Sequence, residues 1–167
     1  MQAVFTKVIS FILSILMPVT GLFAGGTPVS SSDIAVLDGG ISQDKQIITT
    51  YEEFKACFAE RTAEESYENA FLNSINESYF ENGNLAVICV TLADTAEEVI
   101  VTSAAEKGDT LKISYAVEDS GAIGATMICY STICIKTSKS VTQIEATEKG
   151  ITLLYRSFMS KLIELVR

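Results

Sequence analysis

The chain switches between two hydrophobic periods, and the switches lay out its elements. From Leu85 the run LAVICVTL is apolar on both faces of a strand, with Leu85, Val87 and Cys89 on one side and Ala86, Ile88 and Val90 on the other. A strand apolar on both sides belongs in the middle of a fold, covered twice, by a second sheet or by helices. Just upstream, Asn82-Gly83-Asn84 reads as a turn. Tyr79 and Phe80 before it would plug the edge of the core where the chain enters the sheet.

Period two returns in EEVIVTSA and TLKISYAVED, which flank the turn Lys107-Gly108-Asp109 and predict a hairpin. Val99, Val101 and Ser103 should share one face of its first strand, and Leu111, Ile113, Tyr115 and Val117 one face of its second. TMICYSTICIKTS predicts a further strand with Met127, Cys129, Ser131, Ile133 and Ile135 on one side. SVTQIEATE follows as the last strand, after a turn at Ser138-Lys139-Ser140.

Helical spacing appears in two places. Thr50 with Glu53 three residues later forms a capping box after a short strand at Ile47–Thr49. Tyr51, Phe54, Lys55 and Phe58 then fall on one helical face, and a second short helix is expected over Glu65–Leu72. In the tail, Ile151, Leu154, Tyr155, Phe158, Leu162, Leu165 and Val166 share a face, with Arg156, Lys161 and Arg167 on the polar side. That amphipathic segment is too short and too charged to span a bilayer. Its own domain, a partner's groove and a membrane surface are the sites it would suit.

Together these elements predict an α+β, mainly β fold: a small antiparallel β-sandwich or partly open barrel, with one or two short helices near residues 50–72 and a C-terminal amphipathic helix. Residues 46–148 make the β-rich globular domain and 149–167 the helix. Residues 25–45, rich in Gly, Ser and Asp, read as a flexible lead with a short strand at Ile34–Leu37. Residues 1–24 carry Lys7, an apolar core, Pro18 and a small-residue zone, the order of a secretory signal peptide. The uncharged span from Val8 to Gly26 is also long enough for an N-terminal anchor, the one expected route to membrane contact. The expected location is secreted or at the cell surface.

Composition then removes function classes. The chain of 167 residues is 48% apolar and carries a formal net charge of −9. Residues 44–81 hold nine acids against three bases, a net −6. Nucleic-acid binding needs a cationic footprint, and this distribution supplies none. With no histidine, Ser-His-Asp and Cys-His nucleophilic chemistry are out of reach, and the commonest metal ligand is missing. No tryptophan is present to serve as a sugar platform beside a carboxylate pair. SGAIGA has neither a dinucleotide nor a Walker spacing. The acids Asp94, Glu97 and Glu98, and Glu118 with Asp119, lack calcium-loop spacing. No catalysis, cofactor or metal is therefore expected.

Four cysteines in an exported chain allow three disulfide connectivities. Cys129 and Cys134 should lie on opposite faces of one strand, so they cannot bridge each other directly. Cys89–Cys129 across neighbouring strands and Cys57–Cys89 from helix to sheet are both allowed, as are buried thiols. Cys134, beside Tyr130 and Lys136, would be the reactive thiol if there is one.

The order of TTYEEFKACF, YFENGNLAVICV, EEVIVTSAAEKGDTLKISYAVED and TMICYSTICIKTSKSVTQIEAT resembles a group of small secreted bacterial domains. These are distantly similar to the C-terminal domain of PrcB, a component of a surface protease complex. The resemblance spans about residues 46–147 and carries no catalytic signature. LADTAEEV and GATMICY stand where that group has a Ser-Gly-Ser phrase and a Thr-x-Asp-Met phrase. The resemblance implies a β-rich fold and association with other exported proteins, proteases among them.

The expected function is thus a secreted or surface protein-binding module without catalysis. Its candidate contacts are Ser120, Gly121, Ala122, Ile123 and Gly124 in one loop, with Asp94 and Glu97 in another. The alternative is a structural envelope protein that forms homo-oligomers through its C-terminal helix.

Overall fold

The computed structural model describes residues 25–41, 43–58, 69–119 and 124–149. The expected signal peptide or anchor and the C-terminal helix lie outside the described residues. Two four-stranded sheets and a layer of short helices stack in three layers. The strands are β1 (Thr27–Pro28), β2 (Ile34–Asp38), β3 (Lys45–Ile48), β4 (Gly83–Leu92), β5 (Glu97–Lys107), β6 (Thr110–Asp119), β7 (Cys129–Ser138) and β8 (Gln143–Glu148). The helices are α1 (Tyr51–Phe58), α2 (Asn69–Asn73) and α3 (Tyr79–Asn82). One sheet runs in the order β1-β5-β6-β8 and the other β2-β7-β4-β3. The sheets do not close into a barrel, so the fold is a mainly β sandwich with helices added on one side.

The doubly apolar strand is central, and it is covered by both kinds of neighbour. Ala86, Ile88, Val90 and Leu92 face the other sheet, where they join Val99, Val101, Leu111, Ile113, Ile133 and Ile135. Leu85 and Val87 face the helices, against Phe54, Phe58, Leu72, Ile75 and Phe80. β4 pairs with β7 along its whole length, from Gly83 opposite Ser138 to Leu92 opposite Cys129. Full burial of one such aliphatic side chain contributes about 1.5–3 kcal/mol. That exceeds the ~1 kcal/mol of a typical helix cap, so packing against β4 and β7 holds the short helices in place.

Residues 25–45, expected as a flexible lead, supply an edge strand to each sheet. β1 pairs with the end of β5, and β2 pairs with β7. Three further expectations change in detail. The alternation along β5 breaks at a bulge between Val101 and Ser103, so Ala104 rather than Ser103 comes inside. A bulge inserts one unpaired residue and shifts the phase of everything after it. β8 is not an antiparallel addition: it pairs parallel with β6, Lys112 opposite Glu145. The chain leaves β7 at the end where β6 begins and crosses to the other sheet with Val141 buried, so β8 must run the same way as β6. Finally, Gly83 and Asn84 are already strand, and the turn is replaced by the four-residue helix α3. The second helix is seen as Asn69–Asn73; its expected start at Glu65 lies outside the described residues.

Helix α1 starts as the capping box dictates. Glu53 N–H donates to Thr50 Oγ1 at 3.2 Å, while Glu53 Oε2 accepts from the N–H of Thr49 at 2.8 Å and of Thr50 at 3.3 Å.

Tyr79 closes the end of the β4–β7 ladder, where Asn84 stands opposite Thr137: its hydroxyl donates to Asn84 O at 2.6 Å and accepts from Thr137 N–H at 3.3 Å. On the other side of β7, β2 reaches only to Ile135, so the edge from Lys136 to Ser138 has no strand partner there. Glu106 accepts from Ser138 N–H at 2.8 Å and from Ser138 Oγ at 2.7 Å. Side chains thus complete a ladder that the backbone leaves open. Position 83 must be glycine for this, because a Cβ there would lie 2.8 Å from the Tyr79 ring. Phe80, by contrast, is core, packed beside Phe54 and Tyr51 with ring centroids at 6.1 and 6.4 Å. Asn84 Nδ2 donates to Lys139 O and Val141 O at 3.2 and 2.9 Å, pinning the crossing from β7 to β8.

Three predictions come from these contacts. Thr50→Ala should lower unfolding free energy by about 1 kcal/mol in urea titration. Hydrogen bonds, chiefly from Thr49 N–H, hold the Glu53 carboxyl below its ordinary value. Its contribution is therefore present above the unfolded-chain value and is lost as pH falls through the folded one. In Glu53→Gln that acid dependence should be weaker. Burial pushes the Tyr79 hydroxyl up to about 12. Its contribution should be full below the unfolded value near 10 and vanish as pH rises through about 12. Tyr79→Phe should cost about 1–3 kcal/mol at neutral pH and flatten the alkaline limb of the melting curve. An unchanged limb would show that Tyr79 does not carry it.

Candidate binding surface at the loop end of the sandwich

The loop from β4 to β5 folds onto its own side chains. Asp94 Oδ1 accepts from Ala96 N–H at 2.8 Å, an Asx turn, and Glu97 Oε2 accepts from Ala93 N–H at 2.7 Å. Short polar side chains bonding nearby backbone is what the composition DTAEE favours. The strand that follows then starts at Glu97.

This loop is clamped to the one that precedes β7. Thr95 N–H donates to Ala125 O at 3.2 Å, and Ala125 N–H donates to Thr95 Oγ1 at 2.7 Å. Gly124 sits so close that a Cβ would fall 1.8 Å from Asp94 Oδ1 and 2.7 Å from Ala96 N. The structure therefore brings together Asp94, Glu97 and Gly124 from the two candidate loops. Ser120, Gly121, Ala122 and Ile123 lie outside the described residues. Asp94 and Glu97 act mainly as braces of their own loop. Among the described residues no three His, Cys, Asp or Glu side chains converge as a metal site.

Several carboxylates gather at this end. Glu97 stands opposite Asp119 and Glu98 opposite Glu118 in the β5–β6 ladder. Like charges directly opposite each other destabilise a sheet modestly. Asp38 and Asp44 flank the same end of the other sheet, opposite Ser131 and bonded through the Asp44 carbonyl to Cys89 N–H. Lys107, Lys112, Lys136 and Lys139 lie toward the opposite end.

Between those acids the chain exposes apolar side chains. Met127 is 56% exposed, Ile128 68% and Tyr130 47%. Period two places Met127 on one side of the strand with Cys129 and Ser131. Pairing starts only at Cys129, so the two residues before it are not held under the other sheet. The unbroken run TMICYSTICI gives no sign of where cover stops, because an exposed and a buried apolar residue look alike in sequence.

Of the alternatives for the cysteines, the structure has the thiols: none of the four is in a disulfide. Cys89 pairs opposite Thr132, and Cys129 opposite Leu92 on the sandwich side. With an odd offset of three positions along the ladder, Cys89 and Cys129 point to opposite faces of the sheet and cannot bridge. Cys134 is fully buried beneath the helices and offers no reactive thiol.

A second concavity, of about 410 Å³, lies at the far end beside Tyr79, Lys136, Glu106 and Asp33. Lys136 Nζ donates to Ser74 Oγ at 2.8 Å and sits over the Phe71 and Tyr79 rings, 5.1 and 5.9 Å from their centroids. Tyr79 there is already engaged at the end of the β4–β7 ladder, and Glu106 in closing the β7 edge.

Comparison with protein-family profiles, with curated proteins and with solved structures finds no match.

Gly124→Ala should break the clamp between the two loops. Overpacking of this kind costs about 1–3 kcal/mol, and amide exchange at Ala125 should rise more than at Ile133 in the core. Equal protection in variant and parent would show that the close approach is not needed.

Proposed function

We propose that this chain is an extracytoplasmic protein-binding module without catalysis, and that its partner is another exported protein, a protease among the candidates. The observation that carries this is the exposed trio Met127, Ile128 and Tyr130 on a rigidly clamped loop end. Aromatic residues and Met are enriched where proteins meet, and a braced backbone lowers the entropy lost on association. The absence of histidine supports a role in binding over nucleophilic catalysis. The signal-like N-terminus supports export, and the resemblance to PrcB-associated domains supports a partner at the cell surface.

The test is quantitative capture. The tagged chain is cross-linked in its own secreted and surface fractions, and the proteins recovered with it are identified and then purified. Ile128→Asp with Met127→Asp should weaken binding to the recovered protein by at least about tenfold, or ~1.4 kcal/mol. Thr142→Asp, at the opposite end, should leave affinity unchanged. Equal binding by all three chains would remove the loop end from the interface. Recovery of the chain alone would replace the proposal with self-assembly.

A further inference from the structure

We propose that the concavity beside Tyr79 is a second binding site and that it takes the free amino terminus of a peptide. The ammonium group lies against Asp33 and Glu106, and the first residue or two extend along β7 at Lys136.

The floor of this site is backbone. Gly39 N–H donates to Tyr130 O at 2.7 Å beside the β2–β7 ladder, so every second residue of β7 from Tyr130 turns its N–H and C=O to that side. Ser138 keeps the phase, since its N–H reaches Glu106 at 2.8 Å. Lys136 keeps it too, but the ladder has ended at Ile34 opposite Ile135. Asp33 would stand opposite Lys136 next, and its N–H turns back to Ser30 O at 3.0 Å instead. Glu106 thus closes the edge at Ser138, while among the described residues no strand faces the N–H and C=O of Lys136 on that side. A donor and an acceptor on one residue of a strand edge are what an extended peptide pairs with. The concavity over them, about 410 Å³, is near the low end of ligand pockets, which run roughly 300–1,000 Å³. It has room for a short segment.

The walls choose which end of a peptide enters. Asp33 and Glu106 both line the concavity, and both lie near enough to the Tyr79 hydroxyl to oppose its ionisation. Neither carboxylate is in an ion pair among the described residues. Glu106 spends one oxygen on Ser138 N–H and the other on Ser138 Oγ, which leaves each oxygen a further lone pair. The Lys136 ammonium is committed to Ser74 Oγ and lies over the Phe71 and Tyr79 rings. Two carboxylates repel a carboxyl terminus and attract an ammonium group. Pro28 and Val29 beside them suit an aliphatic first side chain.

The experiment titrates the purified full chain with the peptide Ala-Val-Thr-Val-amide, reading affinity by calorimetry and the Lys136 amide by heteronuclear NMR. The free-amine peptide should bind and shift the Lys136 amide, and its N-acetylated form should bind at least about tenfold more weakly. Asp33→Asn should weaken the free-amine peptide by a similar factor. Glu145→Gln, which removes an equal charge on the edge strand β8, should not. Equal affinity for the two peptides would make the site an edge for any extended segment and overturn the proposal. So would no binding by either, full affinity in Asp33→Asn, or binding that leaves the Lys136 amide unmoved. The acetyl comparison uses the unaltered chain and decides the matter even if Asp33→Asn does not fold. The loop end takes no part in it, so either outcome leaves the protein partner proposed there untouched.

Discussion

The structure depends on one constraint: β4 is apolar on both faces over Leu85–Val90, and both of those faces are covered. A strand of this kind cannot serve in a two-layer sandwich with one wet side. It needs a third layer, and the short helices supply it. Phe54 and Phe58 of α1, Leu72 of α2 and Phe80 of α3 come from three helices too short to be stable alone, and they converge on Leu85, Val87 and Cys134. The helices fold because the sheet needs cover, and the sheet stays buried because the helices arrive.

Placing two strands centrally leaves edges to manage. β1 and β2 come from one N-terminal segment and border one sheet each, joined through Val29 to Asp33. Where β2 stops short, the Glu106 carboxylate takes the outward Ser138 N–H of β7, while the Tyr79 hydroxyl ties the end of β7 to β4. This closes an edge that could otherwise pair with another chain. The bulge in β5 has a similar effect on the opposite sheet, since it twists a long strand that β1 covers only at its end. One end of the sandwich is therefore finished by polar side chains of the chain itself. The other end is different: its loops brace each other, and its apolar residues stay in solvent.

That asymmetry is what bears on function. Asp38, Asp44, Asp94, Glu97, Glu98, Glu118 and Asp119 lie toward the open end, whereas the finished end carries Lys107, Lys112, Lys136 and Lys139 together with Glu106 and Asp109. Carboxylates around an apolar patch favour a cationic partner and suppress association between like copies at that end, because like-charge juxtaposition is unfavourable. The loop residues Asp94, Glu97 and Gly124 contribute shape more than chemistry. They hold Thr95 and Ala125 together and so present Met127 and Ile128 on a firm base.

By itself, the sequence determined the elements whose signals are local or strictly periodic. The capping box at Thr50, the hairpin around Gly108, the double burial of Leu85–Val90 and the opposed faces of Cys129 and Cys134 all follow from spacing, because backbone geometry assigns each side chain to a face. Tertiary structure decided whatever depends on which layer lies above a residue. Ile133 and Ile128 are the same amino acid on the same run, yet one is buried and the other is 68% exposed. Ile128 precedes the ladder, which starts at Cys129, whereas Ile133 lies within it on the face under the other sheet. The parallel entry of β8, the phase shift at the β5 bulge and the union of Thr95 with Ala125 are likewise contacts between segments distant in the chain, and no local pattern encodes a partner that far away.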